Sequence, residues 1–270
     1  MLLWDIAHGD IASYQQQRLR EGAQGKTVNI EVGVLRQIMK HHDLWMPLAG
    51  KVKALRIREG VGRALTPEEE GRLLAECAKT DSGCYTAAVL ALNTAMRRDE
   101  IRQLPWIQVD LFERKLTVGK SKTPEGTGRM IPLNPSAVKA LADWGSRFPN
   151  RQPEHFIFPR CEHKQVDPLR HTKGWRTAWW TATRSIECPK CGRRQRPADA
   201  CRNPECKADI RGLKSSLAGL RFHDLRHTCV TKLAESQASE QTIMSIAGHV
   251  SRRMLEHYSH IRSRCQTCCP

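Results

Sequence analysis

The apolar positions of this chain repeat mostly at the spacing of a helix. Residues 5–22 and 26–44 both read as helices, the second carrying Val32, Leu35, Ile38 and Met39 at the helical period. Pro47, Gly50, Gly60 and Gly62 then interrupt the pattern, as a linker between two domains would. A sharp helix start follows. Thr66 suits an N-cap, Pro67 the first helical position, and Glu69 completes a capping box, with Leu73, Leu74 and Cys77 as the apolar face. A second apolar helix covers 83–95 and runs into Met96-Arg97-Arg98-Asp99-Glu100. Alternation replaces the helical period at 106–110, 115–118 and 129–133, around turn chemistry at 123–128, and predicts a small antiparallel sheet. Further helices are predicted near 135–147, 170–186, 222–235 and 239–247, with a short one near 251–260. The expected class is mostly α with a small antiparallel β-sheet.

Composition narrows the function. The chain has 270 residues, with 44 Lys and Arg against 28 Asp and Glu, a formal charge of +16. A 40% apolar content with seven Trp argues for a packed core. No apolar run approaches the roughly 18 residues needed to span a bilayer. The start, MLLWDIAHGD, lacks a basic region and a cleavage-site pattern. The expectation is a soluble, cytoplasmic protein whose charge suits a polyanion. Scattered lysines serving solubility would give the same total.

The eleven cysteines are high and odd in number for a disulfide-stapled domain. Cys188, Cys191, Cys201 and Cys206 form a C-x2-C and a C-x4-C pair, a spacing at which four thiolates complete a tetrahedron on one structural Zn²⁺. Free or redox-active thiols are the other reading. Gly192, just after the second Cys, suits a tight knuckle with positive φ. Residues 188–214 hold eight Lys or Arg and three Asp or Glu, so this segment is either a basic knob for DNA phosphate or a solvated loop. Cys265, Cys268 and Cys269 crowd a tail at 262–270 without a fourth partner, and Cys77, Cys84, Cys161 and Cys229 read as isolated small hydrophobes.

The chemistry-bearing segment is 222–260. It holds His223-Asp224-Leu225-Arg226-His227, then Gly248-His249, then Tyr258 nine residues after His249. On a helix His223 and Arg226 share a face, while Leu225, Cys229 and Leu233 point to the core. Arg clamps phosphate oxygens and imidazole exchanges protons near neutral pH. Gly248 suits the end of the helix at 239–247 and would aim His249.

This ordered set resembles the tyrosine recombinase (phage integrase) family, with its H-x-x-R, G-H and later Tyr. Thr94-Ala95-Met96-Arg97-Arg98-Asp99-Glu100 is similar to that family's T-G-(L/M)-R-x-x-E element, with Ala95 where Gly is usual. Gly119-Lys120-Ser121-Lys122-Thr123 is similar to its lysine-bearing hairpin, the context favouring Lys122 over Lys120. The resemblance runs from about Ala64 to Ile261, interrupted by a zinc-binding insertion at 187–214. It implies a catalytic domain at 64–261, with Tyr258 as nucleophile, Arg97, Arg226 and His249 on the scissile phosphate, Lys122 and His223 moving protons, and Glu100 as support. It also implies a 3′-phosphotyrosyl intermediate, no catalytic cofactor, a double-stranded DNA partner and a tetrameric synapse. Residues 1–60 would then be the DNA-binding core domain, with fewer helices than is usual, and Ser259–Pro270 lacks the look of a docking helix. Two other functions share the scaffold, a catalytically impaired DNA-binding regulator and a topoisomerase-like strand-relaxing enzyme. A stand-alone zinc-ribbon module would leave the ordered set unexplained.

Overall fold

A computed structural model describes residues 2–57, 62–121 and 126–248. The chain divides into two compact units, Met1–Val61 and Gly62–Pro270. In the first unit, α1 (His8–Arg20) and α2 (Gly25–His41) enclose Ile11, Val32, Met39, Trp45 and Leu48. Both helices are shorter than the apolar period suggested. Asn29 on α2 anchors the outgoing chain, donating to Leu55 O at 2.9 Å and accepting from Leu55 N at 2.8 Å.

The second unit opens on α3 (Pro67–Thr80), capped as its sequence requires. Thr66 Oγ1 accepts from Glu69 N at 3.3 Å, and Glu69 Oε2 accepts from Thr66 N at 3.1 Å. The helix α4 (Ser82–Thr94) is buried almost all round, which its run of Ala, Val and Leu permits. It packs on α3, on α6 (Pro135–Gly145) and on α8 (Phe222–Glu235). Between α4 and α6 lie α5 (Arg98–Arg102) and a three-stranded antiparallel sheet, β1 (Val109–Asp110), β2 (Lys115–Thr117) and β3 (Met130–Pro132), in that order. Leu116 pairs with Ile131, and both side chains are fully buried in the main core.

Two expectations need correction. Trp106–Gln108 forms a 3-10 turn after Pro105, not a strand. Residues 170–175 are not helical. A hairpin, β4 (Pro159–Glu162) and β5 (Gln165–His171), ends there, Gly174 follows with φ of 129°, and α7 starts only at Arg176 and runs to Arg184. The positive φ of Gly174 is incompatible with a helix that runs on through 174 from 170. The remaining elements are the short pair β6 (Ile186–Glu187) and β7 (Arg194–Gln195), and α9 (Glu240–Ala247). The helix expected near 251–260 lies outside the described residues. Among the described residues no helix is long and apolar enough to cross a membrane.

An aromatic relay ties three of these elements together. Phe158 meets Trp175 edge-on at 5.0 Å, Trp175 stacks on Phe222 at 5.7 Å, and Trp179 meets Phe222 at 5.1 Å. Trp179 Nε1 also donates to Leu220 O at 3.1 Å. The first residue of α8 is thereby held by α7, one position before His223.

Candidate active site

The end of α4 sets the geometry of the site. Ala95, its C-cap, is fully buried in the left-handed conformation, φ 51° and ψ 19°. The chain reverses there, so Arg97 becomes the N-cap of α5 and Glu100 reaches back to accept from Arg97 N at 2.8 Å. The left-handed turn also aims the Ala95 carbonyl at α8, where Arg226 Nη1 donates to it. This is the position at which Gly is usual in the family resembled, and the backbone explains the preference. Left-handed backbone costs an L-residue about 1–2 kcal/mol. Glycine would give up a buried methyl worth about 0.8 kcal/mol and gain unfolded-state freedom of comparable size. Ala95→Gly should therefore leave the urea midpoint nearly unmoved, whereas Ala95→Val, branched at Cβ in this turn, should lower it strongly. Equal effects of the two substitutions would contradict the geometry.

Glu100 is the hub. Its carboxylate accepts from Arg97 Nη1 at 3.0 Å, Ser121 Oγ at 2.6 Å, and Arg129 at 2.6 and 3.3 Å. Burial opposes its charge, but the hydrogen bonds from Arg129, Ser121 and the Arg97 amide outweigh burial and bring its pKa down to about 2. Arg129 is itself buried, and reaches Ile246 O on α9 at 3.0 Å and Gly126 O at 2.6 Å. Arg226 is 3% exposed, and burial, followed by the charge of Arg97, pulls its guanidinium to about 10, still cationic at neutral pH. The side chains of Arg97, Arg129, Arg226 and Glu100 together carry a net +2.

His223 opens onto the same place. Desolvation by the cleft walls, then the neighbouring His227 and Arg226 charges, lower its pKa, which favours neutral imidazole. Asp224 holds the start of α8, accepting from Arg221 N at 2.8 Å and pairing with the Arg221 guanidinium at 2.7 Å. The cleft between these groups measures ≈ 710 Å³, and Arg97, Glu100, Lys120, Ser121, Arg221 and His223 are among its lining residues. Leu225 is buried in the main core, and Cys229 is buried with Ala95 in a smaller cluster. The structure thus brings together Arg97, Glu100, His223, Arg226 and Lys120. Lys122, His249 and Tyr258 lie outside the described residues, as do Cys265, Cys268 and Cys269. Gly248 ends α9 with φ 69°.

Two members of the site were missed from sequence. Ser121 is an ordinary hairpin residue until Glu100 is placed beside it. Arg129 carried a readable signal, because it is in phase with the buried Ile131 and Leu133 on one face of the strand. A charge on the inward face of a strand needs a buried partner, and Glu100 is that partner.

The four cysteines of the insertion converge. Their sulfurs all lie within 4.8 Å of one another, with Cys188–Cys206 at 3.8 Å and Cys191–Cys201 at 3.6 Å. A disulfide would require about 2.05 Å, whereas sulfurs about 2.3 Å from a tetrahedral metal stand roughly 3.8 Å apart. The donor set and spacing therefore fit one metal ion. The short pair β6 and β7 frames the first two cysteines, and Gly192 has φ 70° as its place in the knuckle requires. The Arg193 amide is the main cause drawing the Cys191 thiol down to about 6. Arg194 fastens the insertion to α3, with Nε on Glu76 at 2.6 Å and Nη2 on Thr80 Oγ1 at 2.9 Å.

Known proteins share this architecture. A shufflon-specific DNA recombinase of Escherichia coli is 26% identical over 272 residues, covering 96% of this chain and 59% of that protein. A tyrosine recombinase XerC of Alcanivorax borkumensis is 24% identical over 275 residues, covering 96% and 76%. The chain thus spans less than two thirds of the shufflon recombinase. Among solved structures, the Tn1549 transposon integrase in complex with transposon right end DNA aligns with a TM-score of 0.63 at 17% identity, over 99% of this chain and 86% of that one. A lambda integrase dimer bound to a COC′ core site aligns at 0.56 and 18%, over 96% and 66%. Both speak for the fold. Residues 63–186 and 195–264 match the phage integrase family, the break between the two stretches falling at the start of the cysteine insertion, and the chain belongs to that family.

Proposed function

We propose that this protein is a site-specific DNA recombinase that cuts and rejoins strands through a covalent phosphotyrosine. The observation that carries the reading is the Arg97–Glu100–Arg129 network beside the buried Arg226, with Arg97, Glu100 and His223 lining one open cleft. A phosphodiester under attack gains negative charge on its nonbridging oxygens, and guanidiniums already fixed by a buried carboxylate meet that charge without reorganising. Glu100 and Arg129 position; Arg97 and Arg226 face the phosphate, with His249 adding a hydrogen bond.

In this scheme Tyr258 Oη forms a bond to phosphorus and loses its proton with the help of neutral His223. The bond from phosphorus to the 5′ oxygen breaks, and that oxygen takes a proton from Lys122, or from Lys120. A 5′-hydroxyl from a second duplex then attacks the phosphotyrosine, restoring the backbone and freeing the tyrosine. The phosphoester energy is kept throughout, so ATP is not consumed. Exchange between duplexes calls for several protomers on DNA, and the lambda integrase tetramer bound to a Holliday junction, of similar fold, supports a tetrameric synapse. The relatives' names support DNA of a mobile element as substrate. The four cysteines would hold a structural Zn²⁺, since four sulfur ligands leave no open coordination position.

The test is adduct formation. Nicked suicide duplexes with randomised cores are incubated with the protein, denatured, and screened for DNA linked to the chain. Wild type should form the adduct, and Tyr258→Phe should form none. A wild type that binds but never forms an adduct would overturn the recombinase reading in favour of a DNA-binding regulator. Relaxation of supercoils without partner exchange would favour the topoisomerase-like reading.

A further inference from the structure

A second basic groove adjoins the cleft. It measures ≈ 430 Å³ and runs along α7 from Arg98, Arg221 and Phe222, which also line the cleft, to Lys173, Arg176 and Arg184. No Asp or Glu lines it. Three of its cations are already engaged, Arg98 with Asp99 at 3.6 Å, Lys173 with Glu162 at 3.1 Å and Arg221 with Asp224 at 2.7 Å. Arg176 and Arg184 are exposed and, among the described residues, have no carboxylate within ion-pair distance. They sit at i and i+8 on α7, with the exposed Trp180 at i+4 between them, so the three side chains form one stripe.

The insertion completes this stripe. Arg196, between the second and third cysteines, lies over the Trp180 ring at 4.9 Å, and Arg184 lies over the same ring at 5.3 Å. A guanidinium stacked on an indole keeps its N–H edge turned outward, which preorganises it for phosphate. Arg176 and Arg184 stand about 12 Å apart along the helix, a span of three to four nucleotides at about 3.4 Å of rise each.

We propose that Arg176, Arg184 and Arg196, the last two mounted on Trp180, grip the phosphate backbone of the duplex flanking the cleavage point, so that the cysteine insertion extends the DNA-binding surface. This rests on the reading of the cleft as a DNA strand-transfer site. Arg196 gives the insertion a direct role in substrate binding beyond bracing α3.

The experiment measures binding of a fluorescein-labelled random-sequence duplex to the whole protein across a KCl series. Each phosphate contact contributes about 0.9 to the slope of log affinity against log salt. Arg176→Gln/Arg184→Gln/Arg196→Gln should therefore flatten the slope by about 2–3. The equal-charge control Arg114→Gln/Lys115→Gln/Lys139→Gln, at exposed positions outside the groove, should leave it unchanged. Arg184→Lys/Arg196→Lys should keep the slope but weaken binding, because ammonium stacks and forks poorly. An unflattened slope in the first variant, or equal flattening in the control, overturns the proposal. Adduct formation by Tyr258 is scored separately, so loss of the recombinase reading does not remove the slope, and loss of the slope does not remove the adduct.

Discussion

Glu100→Gln should destabilise the second unit by about 3–5 kcal/mol, the range for breaking a buried ion pair from one side. The amide would fill the same space but leave Arg129, 5% exposed at its side chain, without its counter-charge and turn N–H groups toward guanidinium donors. The pH dependence gives a second measure of the same quantity. The Glu100 carboxyl is drawn from an ordinary 4.5 to about 2. The unfolded chain therefore takes up this proton first as the solution is acidified, so the stabilisation is whole above pH 4.5 and drains away as pH falls toward 2. A shift of that size corresponds to about 3 kcal/mol. Urea unfolding of both proteins at neutral pH and at several acidic values would check this. The gap between them should narrow as pH falls through that window. A gap under about 1 kcal/mol at neutral pH, or one that ignores pH, would show that Arg129 finds other partners.

Removing the proposed metal should have a comparably large but local effect. The insertion's own core is Ile186, Cys188, Cys201 and Ile210, with Ala198, Cys206 and Ala208 packed against it. Three of those seven side chains are the proposed ligands. So small an apolar core leaves the order of this segment dependent on the four thiolates, because metal binding at such a site is folding free energy. One zinc per chain is expected on elemental analysis. A chelator, or Cys188→Ser, should release it and expose Arg193, Arg194, Arg196 and Arg202 to trypsin, with helical circular dichroism largely retained. Metal-free protein that resists trypsin as well as the metal-loaded form would defeat this account.

Much of the fold was legible because local chemistry and global structure agree. Thr66-Pro67-Glu68-Glu69 could hardly be anything but a helix start, and the structure closes its capping box atom for atom. Arg97, Glu100, His223 and Arg226 were readable as an ordered set; the first three line the cleft, and Arg226 lies buried beside them on the Ala95 carbonyl. The hairpin at 159–171 was not readable, for a definite reason. Its two-residue turn, His163 and Lys164, holds φ of 51° and 67°, a conformation usually marked by Asn-Gly, and neither residue announces it. Its strands are also half exposed, so they show no clean alternation. The phase of Arg129 with Ile131 and Leu133 marks it as inward-facing but does not name its partner. The Glu100–Arg129 pair spans 29 positions, which no local pattern encodes.

The aromatic relay gives the protein an optical reporter beside the candidate site. Trp175 and Trp179 flank Phe222, immediately before His223, and the Trp179 indole N–H is bonded to the backbone at Leu220. Any movement of the start of α8 must change the surroundings of both indoles. Intrinsic fluorescence can therefore follow the ordering of the cleft in unlabelled protein, separately from the test of adduct formation.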